Sequence, residues 1–256
     1  MPGRLYLMPN ALDLGVEGEL PGLDEVLAFG VIRTASRVEH WVVENAKSAR
    51  AFLKRVDALV PLARPIQQIE IAELPRPPKG KPAAAVPADW DALLAPAHYG
   101  LDVALLSEAG LPAVADPGAL LVARAHSHAI EVIALPGPNS LMLALAASGL
   151  NGQGFEFVGY LPTDAAGRAA RIRELEVQSR HDGRTRLMIE TPYRNAALWD
   201  ALVQHLSGST QLAVGCGLTT ARAFSRSRTV RTWRATPLHI PADLPAVFLF
   251  LAGASA

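Results

Sequence analysis

The sequence predicts an α/β fold built on a parallel sheet, and three observations in one stretch predict it. Asp102 to Gly149 contains two apolar runs, Val103–Leu106 and Val132–Leu135, each of strand length. Each run stops at a turn rich in Gly and Pro: Ser107-Glu108-Ala109-Gly110-Leu111-Pro112, continuing to Asp116-Pro117-Gly118, and Pro136-Gly137-Pro138-Asn139-Ser140. Ala119 to His128 between them carries a helical pattern. Strand, helix, strand in that order requires a crossover, and a crossover makes neighbouring strands parallel. Ligands of open parallel sheets bind beyond the carboxyl ends of the strands. Both special turns fall there, so the site is expected there.

The other elements follow in order. Leu5–Met8 reads as the first strand, with Pro9 to Gly15 as the loop after it. Leu23 to Ser36 reads as one helix, because Val26, Leu27, Phe29 and Val31 recur and Asp24 and Glu25 suit its first turn. Trp41–Val43 is a second strand, Ala46 to Val56 an amphipathic helix, and the alternation of Ile66 to Ile71 a third strand. Leu74 to Pro87 holds five prolines and is an exposed loop, either a substrate lid or an ordinary insertion. Asp89 to Ala97 is a short helix, and Leu141 to Ala147 continues the central stretch as an apolar one. Phe155–Leu161, Leu187–Ile189, Leu212–Val214 and Ala246–Leu251 are strands, with helices over Gly167–Arg180 and Asn195–Leu206.

Composition removes several classes. Half of the 256 residues are apolar and 19% are charged, so a large core is available and global disorder is excluded. The length fits one large domain or two ordinary ones. A single cysteine, Cys216, excludes an internal disulfide framework and a Cys-cluster metal site, and suits a reducing cytosol. Met1 to Pro9 has no secretory pattern, so a cytoplasmic location is expected. The uncharged run Val132 to Phe155 is cut by Pro136-Gly137-Pro138-Asn139, which reads as a buried strand and helix rather than a membrane span.

Net charge is zero but unevenly spread: 12 basic and 16 acidic residues through Pro136 give −4, and 12 and 8 thereafter give +4. Arg222, Arg226, Arg228, Arg231 and Arg234 fall in a stretch without an acid, which fits either contacts to RNA phosphates or a solvated β-hairpin.

No Gly-x4-Gly-Lys-Ser/Thr phosphate loop is present, and Gly149, Gly152 and Gly154 have the wrong order for a dinucleotide fingerprint. His126 and His128 do not share a helix face and read as surface residues, so no metal site is expected. Cys216 reads as a packing residue. What remains is a set of turns whose main chain a ligand can approach. Glu44, Glu108 and Glu190, each at a strand end, are the candidates for a general base.

Together, Leu5–Gly15, Val42–Leu53, Asp102–Gly118, Val132–Leu150, Phe157–Pro162 and Ile189–Arg194 resemble the tetrapyrrole-methylase (class III) S-adenosylmethionine-dependent methyltransferases in order and spacing. Within that family they are most similar to the small-subunit rRNA 2′-O-ribose methyltransferase I branch. The resemblance implies two α/β domains, mainly parallel sheet in the first (1–136) and mixed sheet in the second (137–256), with the cofactor in the cleft between them and a homodimer as the usual assembly. Carried over by position, S-adenosylmethionine would meet Met8, Pro9 and Ala11, then Ser107, Glu108, Ala109 and Gly110, with Pro112 and Val114 behind. Asn139, Ser140, Thr191, Pro192, Gly217 and Leu218 would complete its site.

The chain departs from the branch where an acceptor would be held. Glu-Asp-Thr-Arg is replaced by Glu44-Asn45-Ala46-Lys47, Ser-Asp-Ala-Gly-Thr-Pro by Ser107–Pro112, Ser-Pro-His-Arg by Thr191–Arg194, and Arg-Glu-x-Thr-Lys by Cys216–Thr220. The branch's Gly-Asn end to the first loop has no counterpart here. Three readings follow: a methyltransferase with rRNA as methyl acceptor, one with a small, tetrapyrrole-like acceptor, and a donor-binding protein that no longer catalyses.

Overall fold

The computed structural model describes residues 2–12, 21–75 and 89–253, which form two compact units, the second beginning at Asn139. In the first, β1 (Arg4–Met8), the helices α1 (Leu23–Val26) and α2 (Phe29–Ala35), β2 (His40–Val43), α3 (Ala46–Asp57) and β3 (Glu70–Glu73) come in turn. They are followed by α4 (Trp90–His98), β4 (Val103–Leu106), α5 (Ala119–Ser127) and β5 (Glu131–Ala134). The five strands lie in the order β3-β2-β4-β1-β5 and every ladder is parallel. All four residues of β4 are buried, as a central strand covered on both faces requires.

Local chemistry sets the boundaries. Asn45 caps α3 by accepting the Lys47 and Ser48 N–H groups, and Ala49, Phe52, Leu53 and Val56 bury one face of that helix. Asp89 caps α4 through the Ala92 N–H. One core of this unit gathers Leu23, Leu27, Ile32, Trp41, Phe52 and Leu53. Another gathers Leu5, Leu94, Leu105 and Leu121 on the opposite face of the same sheet, since β1 and β4 send alternate residues to the two cores.

Two expectations are corrected here. Leu23 to Ser36 is not one helix, because Leu27 and Ala28 are extended and separate α1 from α2. That break lets Leu27, Val31 and Ile32 all enter the core, while Phe29 is 60% exposed rather than part of an apolar face. Ile66–Ile71 is not one strand either. Pro65 starts a 3₁₀ turn, Ile66–Gln68, in which the Gln68 N–H bonds the Pro65 carbonyl, and pairing with β2 begins only at Glu70. Residues 76–88 of the proline-rich loop and Asp13 to Gly15 of the first loop lie outside the described residues.

The second unit contains α6 (Ser140–Ser148), β6 (Phe155–Gly159), α7 (Ala165–Asp182), β7 (Thr185–Glu190), α8 (Asn195–His205), β8 (Gln211–Cys216), β9 (Phe224–Thr229), α9 (Val230–Ala235) and β10 (Ala246–Leu251). Its sheet is mixed, in the order β6-β7-β10-β8-β9, with β6 and β7 parallel and the remaining pairs antiparallel. The strand expected to reach Leu161 ends at Gly159, where φ is +73° and the register with β7 slips. Trp199 and Trp233 meet edge to face with centroids 5.2 Å apart in its core, beside Phe248. Among the described residues no helix is long and apolar enough to cross a membrane.

Candidate functional site

In the first unit the loops that leave β1 and β4 are fastened to each other. Asn10 and Gly110 exchange both main-chain hydrogen bonds, Asn10 N–H to Gly110 O at 2.9 Å and Gly110 N–H to Asn10 O at 3.1 Å. The Asn10 side chain repeats the link, its Nδ2 donating to the carbonyls of Ser107 (3.3 Å) and Glu108 (3.0 Å) while its Oδ1 accepts the Ala11 N–H. Ser107 Oγ points back at the Ala109 and Gly110 carbonyls, 3.1 and 3.2 Å away. Gly110 sits at φ +72°, and a Cβ there would come 3.1 Å from Leu12 Cδ2 and 3.3 Å from the Pro138 carbonyl. Met8 is wholly buried in the core, so only its main chain is offered to a ligand. Pro112 is also buried, whereas Val114 is 43% exposed.

A second feature of this unit lies at the carboxyl ends of β2 and β4. These strands are neighbours, yet β2 leads through α3 to β3 on one side and β4 leads through α5 to β5 on the other. Connections that diverge in this way leave a crevice. Here it is a cavity of about 600 Å³ with Glu44, Glu108 and Asp116 beside an apolar wall of Trp90, Leu74 and Leu120. Glu44 Oε1 accepts the Glu108 N–H at 3.1 Å, and Glu108 Oε1 accepts the Ser48 hydroxyl at 3.3 Å. Burial pushes the Asp116 carboxyl up to about 7, with the negative charges of Glu44 and then Glu108 adding to the rise. The loop that carries Asp116 is strained: Ala113 and Ala115 have φ of +64° and +60°, a region that costs a side-chain-bearing residue roughly 1–2 kcal/mol.

In the second unit, Glu190 and Cys216 flank Ala246 of β10, so Thr191-Pro192 and Gly217-Leu218 leave the sheet at the same end. Asn139 caps α6 by accepting the Met142 N–H, which makes Ser140 the first helical residue. Gly217 has φ +57° and donates its N–H to the Pro245 carbonyl. Glu190 is buried and held through one oxygen: its Oε1 accepts the Thr191 N–H at 2.8 Å, the Thr191 hydroxyl at 3.3 Å and Arg194 Nη2 at 2.7 Å. Cys216 is buried and burial pushes its thiol up to about 11, so it packs rather than reacts. His128 pairs with Asp91 at 2.9 Å.

The expected residues therefore fall into two groups. Pro9, Ala11, Ser107, Glu108, Ala109 and Gly110 cluster at the fastened loops of the first sheet; Thr191, Pro192, Gly217 and Leu218 share one end of the second. Of the Arg222–Arg234 stretch, Arg222 pairs with Asp243, Arg234 caps the carbonyls of Val203, Gln204 and Leu206, and Arg228 lies over the Trp233 ring at 5.1 Å. The segment forms an antiparallel strand against β8 and then α9. Sequence reasoning did not single out Asp116 and Trp90, which line the cavity, or the fastening role of Asn10 within the first loop. Asn10 and Asp116 stand inside turns already singled out, and that was the only signal; Trp90 carried none.

A five-stranded parallel sheet with shaped loops at its carboxyl ends, joined in sequence to a five-stranded mixed sheet, defines a class of two-unit α/β proteins. Residues 24–232 match the tetrapyrrole (corrin/porphyrin) methylases, and the chain belongs to that family. A ribosomal RNA small subunit methyltransferase I from Mesorhizobium japonicum is 38% identical over 139 residues, 54% of this chain and 46% of that protein. One from Halalkalibacterium halodurans is 29% identical over 192 residues, 75% of this chain and 56% of the relative. The chain thus spans about half the length of the curated relatives it matches. Among solved structures, uroporphyrin-III C-methyltransferase from Thermus thermophilus aligns with a TM-score of 0.52 at 18% identity, over 97% of this chain and 94% of the other. A conserved hypothetical protein from Aeropyrum pernix K1 aligns at 0.60 and 15% identity, over 100% and 86%. These two likenesses carry the fold.

Proposed function

We propose that the protein is an S-adenosylmethionine-dependent methyltransferase whose acceptor is small-subunit ribosomal RNA, methylated on a ribose 2′-oxygen. Family membership supports the reaction class, and the names of the relatives support the acceptor. The observation that carries the reading is the Asn10–Gly110 fastening, which ties the β1 and β4 loops to each other beside the small residues and main chain that this reading gives to the donor. An adenosyl-methionine molecule fits that chemistry, because it needs an apolar slot with a few fixed polar groups.

The bound donor supplies an activated methyl group. Everything else falls to the chain. In this reading the main chain of Met8, Pro9 and Ala11 and the turn Ser107–Gly110, backed by Pro112 and Val114, hold the adenosyl and methionine parts. The second unit adds Asn139 and Ser140 at the start of α6, Thr191-Pro192 after β7 and Gly217-Leu218 after β8. Rate then comes from alignment and exclusion of water more than from a charged cluster. Of the three carboxylates expected as bases, Glu190 is committed to Thr191 and Arg194, while Glu44 and Glu108 hold loop main chain and the Ser48 hydroxyl. A homodimer working in the cytoplasm completes the proposal.

Incubating the protein with methyl-labelled donor and isolated small ribosomal subunits tests it. Label is expected in the RNA, in an alkali-resistant dinucleotide, as a 2′-O-methyl group demands. Label confined to small molecules would replace the rRNA reading with the small-acceptor one, and donor binding with no transfer to any fraction would leave the non-catalytic one.

A further inference from the structure

The cavity at the ends of β2 and β4 is walled mostly by apolar groups, with Asp116 facing it from a loop whose backbone is forced into shape. Gly118, at φ +121°, lets that loop lie against β4, since a Cβ there would come 2.7 Å from Leu105 Cδ2. The Ala113 N–H closes the loop on the Pro117 carbonyl at 3.3 Å. Glu44 and Glu108 are both anchored by hydrogen bonds. The Asp116 carboxyl, among the described residues, accepts none. The described residues lining the cavity from the β3 end, α4 and α5 bring no further titratable group, so Glu44 and Glu108 are the charges Asp116 feels there.

We infer that Asp116 is the catalytic base of the reaction, taking the proton from an acceptor hydroxyl that enters this cavity. The inference rests on the methyltransferase reading above. In the step, the acceptor oxygen forms a bond to the methyl carbon as the sulfur–methyl bond breaks and its electron pair stays on sulfur. The hydroxyl proton moves to the Asp116 carboxylate and from there to water. One positive charge on the donor and one negative charge on Asp116 are consumed, so charge balances. The wall also selects the acceptor: Glu44 and Glu108 repel phosphate, while the Trp90 ring offers a face for stacking. The entering group is therefore a nucleoside's sugar and base, with its phosphates held outside.

Asp116→Asn and Asp116→Glu test this with four readouts. First, calorimetry with S-adenosylmethionine should give the same affinity, within about twofold, for wild type and D116N. Failure of wild type to bind the donor ends the methyltransferase reading and this inference with it. Loss of binding in D116N alone makes Asp116 a donor-site residue and overturns the inference while sparing the reading. Second, on small ribosomal subunits kcat should fall about 100-fold or more in D116N with KM little changed, and partly recover in D116E. Third, wild-type kcat should rise with pH through a midpoint near 7, D116N should lose that limb, and Glu44→Gln should move it to lower pH. Fourth, carbon NMR of labelled aspartates should show one carboxyl titrating near 7 that is missing in D116N. A D116N enzyme that keeps its rate within a few-fold and its pH limb would overturn the assignment, as would an Asp116 carboxyl titrating near 4.

Discussion

Asn10 and Gly110, a hundred residues apart in sequence, exchange both of their main-chain hydrogen bonds and make a two-residue antiparallel bridge above a sheet whose strands all run parallel. Each loop also carries local bonds, Ser107 Oγ to the Ala109 and Gly110 carbonyls in one and the Ala11 N–H to Asn10 Oδ1 in the other. The bridge joins the two loops, and the Asn10 amide adds two bonds across it and one within its own loop.

Asn10→Ala leaves the Ser107 and Glu108 carbonyls and the Ala11 N–H without this partner where burial is high. Such a loss costs about 1–3 kcal/mol. Urea unfolding should show it, and calorimetry should show donor affinity falling at least tenfold. Unchanged affinity would mean that the bridge serves the fold and not the ligand.

Gly110→Ala and Gly149→Ala make a matched pair. Both glycines have positive φ, +72° and +70°, so each substitution costs roughly 1 kcal/mol or more in backbone strain. At Gly149 the new methyl meets nothing within 4 Å, whereas at Gly110 it is crowded by Leu12 and the Pro138 carbonyl. The account expects a stability loss in both, larger in G110A, and weakened donor binding in G110A alone, read by thermal unfolding and calorimetry side by side.

Glu190→Ala removes the acceptor of the Thr191 N–H and the partner of Arg194, with an expected loss of about 1–3 kcal/mol. The pH limb of kcat should stay where it is. A shifted limb would return Glu190 to the list of bases.

Asp116 also makes stability depend on pH, and the sign follows from the direction of its shift. Folding raises the carboxyl from an ordinary 3.8 to about 7. The folded state therefore holds the proton more tightly than the unfolded one, and stability is lost as pH rises through 7. Below about pH 4 the group is neutral in both states and contributes nothing to the difference between wild type and D116N. At pH 8 D116N should melt higher, by about 2–4 °C for each kcal/mol relieved in a chain of this size. A variant that is more stable and yet catalytically impaired is hard to explain by a structural role.

Much of the fold was legible because strand and helix periodicity is written locally: the strand at Val103–Leu106 appears as expected, and the helical pattern of Ala119 to His128 forms a helix over Ala119–Ser127. The break at Leu27 was not, since only the core reveals which of Leu27 and Phe29 is buried. Pairing with β2 decided where β3 begins, and alternation over Ile66–Ile71 carries no record of that partner. For the candidate site, turn composition singled out the loops after β1 and β4, which the structure fastens together, and the resemblance ordered the proposed residues along them. It could not single out Asp116. That carboxyl differs from Glu44 and Glu108 through the apolar wall around it and its lack of a hydrogen-bond donor, both products of residues distant in sequence. Glu190 looked equivalent to them until its three bonds were seen.

The most direct measurement is a calorimetric titration of the wild-type protein with S-adenosylmethionine and, separately, with its demethylated product. The account predicts saturable one-to-one binding of both, weakened at least tenfold in N10A. Absence of binding to either molecule by a folded protein would contradict it.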